Sequence, residues 1–341
     1  MQSLKFTETP HNHHYSFGYH TENKWLDGEN IVLVRSDNES ISKKLFPDAK
    51  TELVKLNVKT GNFSVIADGV TEWLDYLVLG KDVYYVKEKT LFKINTETNE
   101  ERKLISLDGL GFPHATHDGR YLSLFNSDIT PSSFAIFDTE KETLRHIFDY
   151  SFPEPYHTAN HGMICPTDKE LYFFAHEGDT RQVSDRLWLW SGYTGTAKNI
   201  ATQRLSESGR VLDCYGHEVW SQSGKGLYFV KYRESADKNG ICYVDISTNR
   251  TTLLYSGYDY WHVGVSRSGR FLTADTRGEN GKSKIILLDT NTGAETEIDS
   301  VKSTFKHPCH PHPVISPNGN VMIYHVLSDS GMTAVRFAVL K

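Results

Sequence analysis

The hydrophobic pattern of this chain is a turn signal followed by a short run of alternating apolar residues, and it recurs along the whole sequence. Each copy joins Gly, Asp or Asn to a run rich in Val, Ile, Leu, Tyr and Phe, which is typical of a tight turn leading into a β-strand. Seven copies occur, at residues 26–34, 79–86, 117–124, 167–174, 223–230, 268–274 and 318–324. The pattern therefore predicts seven similar units.

A second hairpin follows most copies, in which an apolar strand runs into Asp or Asn and then into a turn. Two hairpins in a unit of roughly 40–55 residues match the period of a propeller blade with four antiparallel strands. No segment shows convincing helical periodicity. We therefore predict an all-β chain that forms a seven-bladed β-propeller. Clear second hairpins lie at residues 53–61, 91–99, 134–141, 241–249 and 285–293.

The length of 341 residues would suit two average domains, although closed all-β architectures of this size are often single units. Because the repeats span the chain, residues 1–341 are expected to form a single propeller domain. The last repeat ends at Leu340 without a spare strand, so Lys5 and Phe6 are expected to pair with the last blade. Such closure by N- and C-terminal strands would remove the open sheet edges.

Charge and composition narrow the classes of partner. The formal net charge is −6, and Lys and Arg are scattered along the sequence. Binding to nucleic acid or to an anionic membrane is therefore not expected, and a small solute is the expected partner. No apolar run has the length of a membrane span, and the N-terminus has no signal-peptide pattern. The four cysteines form no C-x-x-C pair, which fits reduced thiols in a cytoplasmic protein.

Residues 305–319 contain His307, His310 and His312 between prolines. The prolines bias their neighbours toward extended geometry, so His310 and His312 are predicted to lie two apart on an extended backbone with both imidazoles on one side. Two neutral imidazoles so placed suit a first-row divalent cation. A polar loop with incidental histidines is the alternative for an isolated H-x-H.

The spacing of other histidines favours a metal site over a polar loop with incidental histidines. In a propeller, equivalent positions at the start of the innermost strands surround one mouth of the central channel, so such side chains are expected to approach one another. Polar residues that line a channel only to hold water are the alternative. Four histidines stand seven residues before the turn Gly or Asp of their repeat: His161, His217, His262 and His312.

Several motifs, taken together, resemble the oligogalacturonate lyases of polysaccharide lyase family 22, most clearly from about residue 155 onward. They are His-Glu-Gly (176–178), Asp-Arg-Leu-Trp (185–188), His-Glu-Val-Trp (217–220), the segment around His262, and His-Pro-His-Pro (310–313) before a Ser-Pro-Asn-Gly turn. The resemblance implies a cytoplasmic seven-bladed propeller that takes part in pectin degradation.

The resemblance also implies a Mn²⁺ site made by three histidines and a glutamine. His262, His310 and His312 match three of these ligands. His307 stands at the position of the glutamine, which predicts a site of four histidines and leaves another first-row transition metal open. This departure also leaves open a uronide substrate other than oligogalacturonide.

The remaining roles follow from the same resemblance. His217 matches a histidine base that removes the proton α to a uronate carboxylate, and Arg186 matches an arginine of the active site. The expected reaction is β-elimination on short oligogalacturonides, which gives 4,5-unsaturated uronate products. A non-catalytic propeller that binds sugars or proteins is the rival hypothesis. Apart from the resemblance, three further histidines are candidate substrate contacts: His11, His161 and His176.

Overall fold

The computed structural model describes residues 4–19, 24–278, 280–304 and 306–340, and its regular elements are β-strands. The first fourteen strands are β1 (Lys5–Glu8), β2 (His14–Ser16), β3 (Asn30–Ser36), β4 (Thr51–Asn57), β5 (Phe63–Asp68), β6 (Tyr76–Leu79), β7 (Asp82–Lys87), β8 (Thr90–Asn95), β9 (Glu101–Ser106), β10 (Gly111–Ala115), β11 (Tyr121–Asn126), β12 (Ser132–Asp138), β13 (Thr143–Tyr150) and β14 (Ala159–Cys165).

The other fourteen strands are β15 (Asp168–His176), β16 (Leu187–Ser191), β17 (Thr196–Ala201), β18 (Tyr215–Trp220), β19 (Gly226–Lys231), β20 (Gly240–Asp245), β21 (Arg250–Tyr255), β22 (Tyr260–Val265), β23 (Phe271–Thr276), β24 (Lys282–Asp289), β25 (Glu295–Lys302), β26 (Val314–Ile315), β27 (Val321–Leu327) and β28 (Thr333–Val339). Within the described ranges, no helix is long and apolar enough to cross a membrane.

The strands form seven four-stranded antiparallel sheets, which are the blades of a β-propeller. Six blades use four consecutive strands, and the seventh has the order β1-β28-β27-β26. Each of the seven predicted turn-and-strand segments supplies the second strand of a blade or, in the last blade, β27. The prediction of an all-β, seven-bladed propeller is therefore confirmed.

The chain divides into two compact units. The first unit contains the residues up to Asp108 and from Gly264 onward. Successive side chains of β3 enter two different hydrophobic cores in this unit. Ile31 and Leu33 pack in one core, whereas Val32 and Val34 pack in the other. Because neighbouring residues of a strand point to opposite faces, a strand with a core on each side must be apolar at every position.

The second unit, Gly109–Val263, holds three complete blades, β10–β13, β14–β17 and β18–β21. Here β15 shows the same alternation. Phe173 and Ala175 pack in the core that also contains residues of β19, and Tyr172 and Phe174 pack in the core that also contains residues of β12. These two-sided cores fix β14 and β15, the strands on which His161 and His176 lie.

The N-terminal strand β1 pairs with the C-terminal strand β28 within the first unit. Lys5 lies opposite Val339 and Glu8 lies opposite Arg336, and the Nε of Arg336 donates to a Glu8 carboxylate oxygen at 2.6 Å. The expected pairing of Lys5 and Phe6 with the last blade is thus observed. The assignment of residues 1–341 to one domain stays a prediction.

A chain that starts at Thr9 tests what this pairing contributes. Without β1 the edge of β28 loses its partner strand and Arg336 loses its contact with Glu8, so we expect the free energy of unfolding to fall by about 2 kcal/mol. Urea denaturation measures the difference. The variant Glu8→Ala keeps the strand and should lose less than about 1 kcal/mol. A truncated chain as stable as the full one would contradict this.

Candidate functional site

The histidine loop, residues 306–313, lies in the first unit immediately before β26. His310 and His312 are buried, whereas His307 is exposed. Each of the three offers a ring nitrogen, and these nitrogens lie within 4.8 Å of one another. Neutral imidazoles bind first-row divalent cations well, so the donor set fits such a cation.

The backbone at His312 differs from the sequence prediction. Its φ is +42°, in the left-handed region, so the prediction of an extended backbone is wrong at this residue. Left-handed φ is uncommon for a residue other than glycine, and the loop must hold it there. The imidazoles of His310 and His312 nevertheless lie side by side, with ring centroids 5.6 Å apart and planes at 21°. A turn therefore produces the arrangement that was expected from a strand.

The left-handed residue is a recurring feature of the blades. His161 and His217, in the first strands of their blades, have φ of 54° and 51°, and the pairing with the next strand shifts register at both positions. Phe112, seven residues before Gly119, has φ of 54° at the corresponding shift in β10. A bulge redirects the side chain it carries. At these three positions the seven-residue spacing coincides with a bulge, and a search restricted to histidine missed Phe112.

His325, on β27, holds the histidine loop from one side. Its main-chain N–H donates to the Pro311 carbonyl at 2.8 Å, and its Nδ1 lies 2.9 Å from the His310 carbonyl oxygen. Since Nδ1 donates there, Nε2 accepts from the Ser16 hydroxyl at 3.0 Å. Burial lowers the pKa of His325 to about 3, so the ring stays neutral. Sequence reasoning gave this residue no role, because no spacing distinguishes it.

Two aromatic side chains of the first unit contact the loop. Trp73 stacks on His307, with centroids 5.5 Å apart and planes at 24°. The ring of Tyr19 lies 4.4 Å from that of His312 and 5.6 Å from that of His307. These contacts limit the rotation of two candidate ligands, although neither aromatic residue was singled out from the sequence.

In the second unit, His217 on β18 and His262 on β22 contact each other. Their ring centroids are 4.8 Å apart in an edge-to-face arrangement, and both side chains are buried. The Nε2 of His217 donates to the Val263 carbonyl at 3.0 Å, so the lone pair of the neutral ring resides on Nδ1. Burial lowers the pKa of His217 to about 3 and keeps the ring neutral near pH 7.

Arg186 lies at the centre of an ionic cluster in the second unit. Its Nε donates to a Glu218 carboxylate oxygen at 2.6 Å, and its two terminal nitrogens lie 3.3 and 3.5 Å from the Glu177 carboxylate oxygens. The other Glu218 oxygen lies 3.1 Å from Nδ1 of His161. Glu218 therefore connects two residues that the sequence predicted for the site, Arg186 and His161.

The pKa values in this cluster show how strongly its charged groups interact. Burial alone would raise the pKa of Glu218, but the charge of Arg186 and the contact with His161 hold it at about 2. Burial also opposes the charge of Arg186, but Glu177 and Glu218 outweigh this effect and raise its pKa well above the usual value. The guanidinium is therefore a permanent cation between two carboxylates.

Two predicted substrate contacts are engaged with neighbouring residues of their own unit. The Nδ1 of His176 lies 2.7 Å from an Asp185 carboxylate oxygen and its Nε2 lies 2.7 Å from the Tyr156 carbonyl oxygen, while the ring stacks on Phe152. His11 is exposed, and its Nε2 lies 2.8 Å from a Glu8 carboxylate oxygen. His176 thus holds the segment around Tyr156 in place, and His11 lies at the surface.

The variant Glu218→Gln tests the ionic cluster. It leaves Arg186 buried with one carboxylate fewer, so we expect a loss of about 3 kcal/mol in the free energy of unfolding at pH 7, measured by urea denaturation. The pKa of Glu218 is lower in the folded protein than in the unfolded chain. Its contribution is therefore complete above its unfolded pKa of about 4.5 and disappears as the pH falls toward 2.

The difference in free energy of unfolding between wild type and Glu218→Gln should therefore narrow as the pH falls from about 4.5 to about 2. Glu177→Gln is the matched control. The Glu177 side chain is 36% exposed and its contacts with Arg186 are longer, so it should lose at most about 1 kcal/mol. Equal losses for the two variants would show that Glu218 has no special part in the cluster.

Two curated proteins are similar to this chain in sequence. No family model matches the chain. A curated oligogalacturonate lyase of Dickeya dadantii (strain 3937) is 21% identical over 376 residues, covering 91% of this chain and 93% of that protein. A Tol-Pal system protein TolB of Wolinella succinogenes is 23% identical over 283 residues, covering 81% of this chain but 58% of that protein.

Among solved structures, an oligogalacturonate lyase in complex with manganese superposes with a TM-score of 0.79 at 16% identity. The match covers 99% of this chain and 96% of that one. The resemblance to the oligogalacturonate lyases that the sequence motifs indicated is therefore confirmed, in sequence by the curated relative and in fold by this structure.

Proposed function

We propose that this chain, similar to the oligogalacturonate lyases in sequence and fold, is a metal-dependent lyase that cleaves short oligogalacturonides by β-elimination. The observation that carries the proposal is the set of three imidazole nitrogens, from His307, His310 and His312, within 4.8 Å of one another. We further propose a cytoplasmic location and a part in pectin degradation. The products would be 4,5-unsaturated uronates.

The residues proposed to hold the metal are His307, His310 and His312, and His262 is kept as a further ligand on the basis of the sequence resemblance. Mn²⁺ is the proposed ion, since one oligogalacturonate lyase structure with a similar fold is a manganese complex. A divalent ion bound there would act as a Lewis acid on the uronate carboxylate and so acidify the neighbouring C–H bond. If the site prefers another metal, we attribute that preference to His307, which stands at the position of the glutamine ligand.

His217 is the proposed general base. Its ring is neutral, and because Nε2 donates to the Val263 carbonyl, Nδ1 is the nitrogen with the lone pair that accepts the proton from C5 of the sugar. As that proton leaves, the C4–C5 double bond forms and the C4–O bond breaks. The electron pair of that bond goes to the oxygen of the leaving sugar. The contact with Val263 orients the ring in this tautomer.

Arg186 is proposed to stabilise negative charge near the leaving oxygen. Two carboxylates already surround its guanidinium, so its contribution would be a fixed hydrogen-bond donor rather than a net positive field. His161, which shares Glu218 with Arg186, is proposed as a substrate contact, as are His176 and His11. Residues 1–341 are proposed to act as one domain.

The ultraviolet absorbance of the unsaturated product tests the reaction on digalacturonate and on a panel of other uronides. Wild type should be active with Mn²⁺ and inactive after chelation. His217→Ala should lower kcat by roughly 10²–10⁴-fold, the usual contribution of a general base. His146→Ala is the matched control, because His146 is an exposed histidine on an outer strand of the same unit. Activity that survives chelation, or full activity in His217→Ala, would refute the mechanism.

The rival hypothesis is a non-catalytic propeller that binds sugars or proteins. Metal analysis of untagged protein separates the two. The lyase hypothesis predicts about one divalent ion per chain, and a much lower content in His310→Ala, which removes a buried ligand. Metal-free wild-type protein that takes up no Mn²⁺ on dialysis would favour the binding propeller.

A further inference from the structure

Strand β23 reaches the histidine loop with two side chains. Thr273 and Asp275 are two residues apart on this strand and therefore lie on one face. The Thr273 hydroxyl donates to the Pro313 carbonyl, and an Asp275 carboxylate oxygen accepts from the His312 N–H at 3.0 Å. Both side chains are fully buried. Consecutive positions of the loop main chain are thus fixed by alternate residues of one strand.

The hydrogen bond to Asp275 is made by a residue of the loop whose backbone conformation is unfavourable. His312 has φ of +42° and is followed by Pro313, so its conformation is unfavourable for both reasons. A hydrogen bond from the N–H to a charged acceptor is stronger than one to a neutral group. Asp275 therefore stabilises the conformation in which the His312 ring lies beside that of His310.

The charge of Asp275 has a second consequence. Imidazole ligands are neutral when they bind a metal, so a divalent ion in the histidine loop would bring two positive charges that its ligands do not balance. Asp275 has 0% exposure and lies one hydrogen bond from the main chain of a ligand. In such surroundings the attraction between a carboxylate and a cation is only weakly screened.

We propose that Asp275 is a positioning residue for divalent-cation binding, because it fixes the main chain of His312 and places a buried negative charge beside the histidine loop. The inference rests on the metal site of the proposed function. It requires neither a particular uronide nor a particular reaction, and Asp275 itself is not a ligand.

The test is the affinity for Mn²⁺, measured by isothermal titration calorimetry on untagged, metal-stripped protein. Asp275→Asn keeps the size of the side chain and one acceptor oxygen but removes the charge. We expect its Kd to rise roughly 10–100-fold, the usual effect of changing a residue that supports a metal ligand. Asp275→Glu keeps the charge and should recover part of the affinity. The melting temperature of each metal-free variant separates a loss of affinity from a loss of folding.

Asp299→Asn is the matched control. Asp299 is a largely buried carboxylate of the same unit, and its side chain contacts Tyr324 and Arg336. This variant loses the same charge, so its affinity for Mn²⁺ should stay within about threefold of wild type. The proposal is overturned if Asp275→Asn also binds within about threefold of wild type, or if both variants lose affinity equally.

Three further outcomes are decisive. If Asp275→Asn does not fold, anomalous diffraction from wild-type crystals soaked in Mn²⁺ replaces it: an ion among His307, His310 and His312 with the bond from His312 N–H to Asp275 kept is expected, and an ion elsewhere overturns the proposal. If wild type binds one Mn²⁺ but cleaves no uronide, the proposed reaction is refuted and the proposal for Asp275 is not. Wild type that binds no Mn²⁺ refutes both proposals.

Discussion

Burial on both faces of the blade strands is the constraint on which the rest of the structure depends. In β3 the residues Ile31–Val34 alternate between two cores, and β15 does the same with Phe173 and Phe174. A one-residue slip of such a strand would exchange the contents of two cores at once, so the register is strongly specified. Side chains on the first strand of each blade therefore have fixed positions. A bulge in that strand redirects the side chain that it carries.

Polar groups in such a framework must be satisfied by other parts of the protein. Glu218 is fully buried and is balanced by Arg186 and His161. His325 satisfies the carbonyls of the histidine loop while its own ring stays neutral. Each of these residues would be costly without its partners, since buried polar groups without hydrogen bonds destabilise a fold. The arrangement of the candidate site residues is thus tied to the folding of their blades.

The sequence predicted the blades and several of the residues that contact one another. The seven turn-and-strand repeats were visible because hairpin turns and two-sided strands leave strong local patterns. The spacing of His161 and His217 from their turns was visible because a bulge occurs at a fixed distance from the turn of its hairpin. Sequence similarity supplied the role of His217 as the candidate base, which spacing alone does not give.

Partners across strands could not be predicted in the same way. Asp275, Glu218 and His325 contact the histidine loop or His161 across separations of 14 to 57 positions in sequence. No local pattern tells which residue of a neighbouring strand faces a given main-chain group. The left-handed φ of His312 was missed for the same reason, because prolines favour extended neighbours and only tertiary contacts overrule them.

The setting of Arg186 changes what an arginine at this position can do. A guanidinium that attracts a uronate by its charge needs an excess of positive charge around it. Here the carboxylates of Glu177 and Glu218 outnumber the single guanidinium, so its attraction for a distant anion is offset. The directional N–H groups of a rigidly held arginine still favour an oxygen that gains charge at short range. An arginine held in this way therefore discriminates between a neutral glycosidic oxygen and a developing alkoxide better than it recruits an anionic sugar.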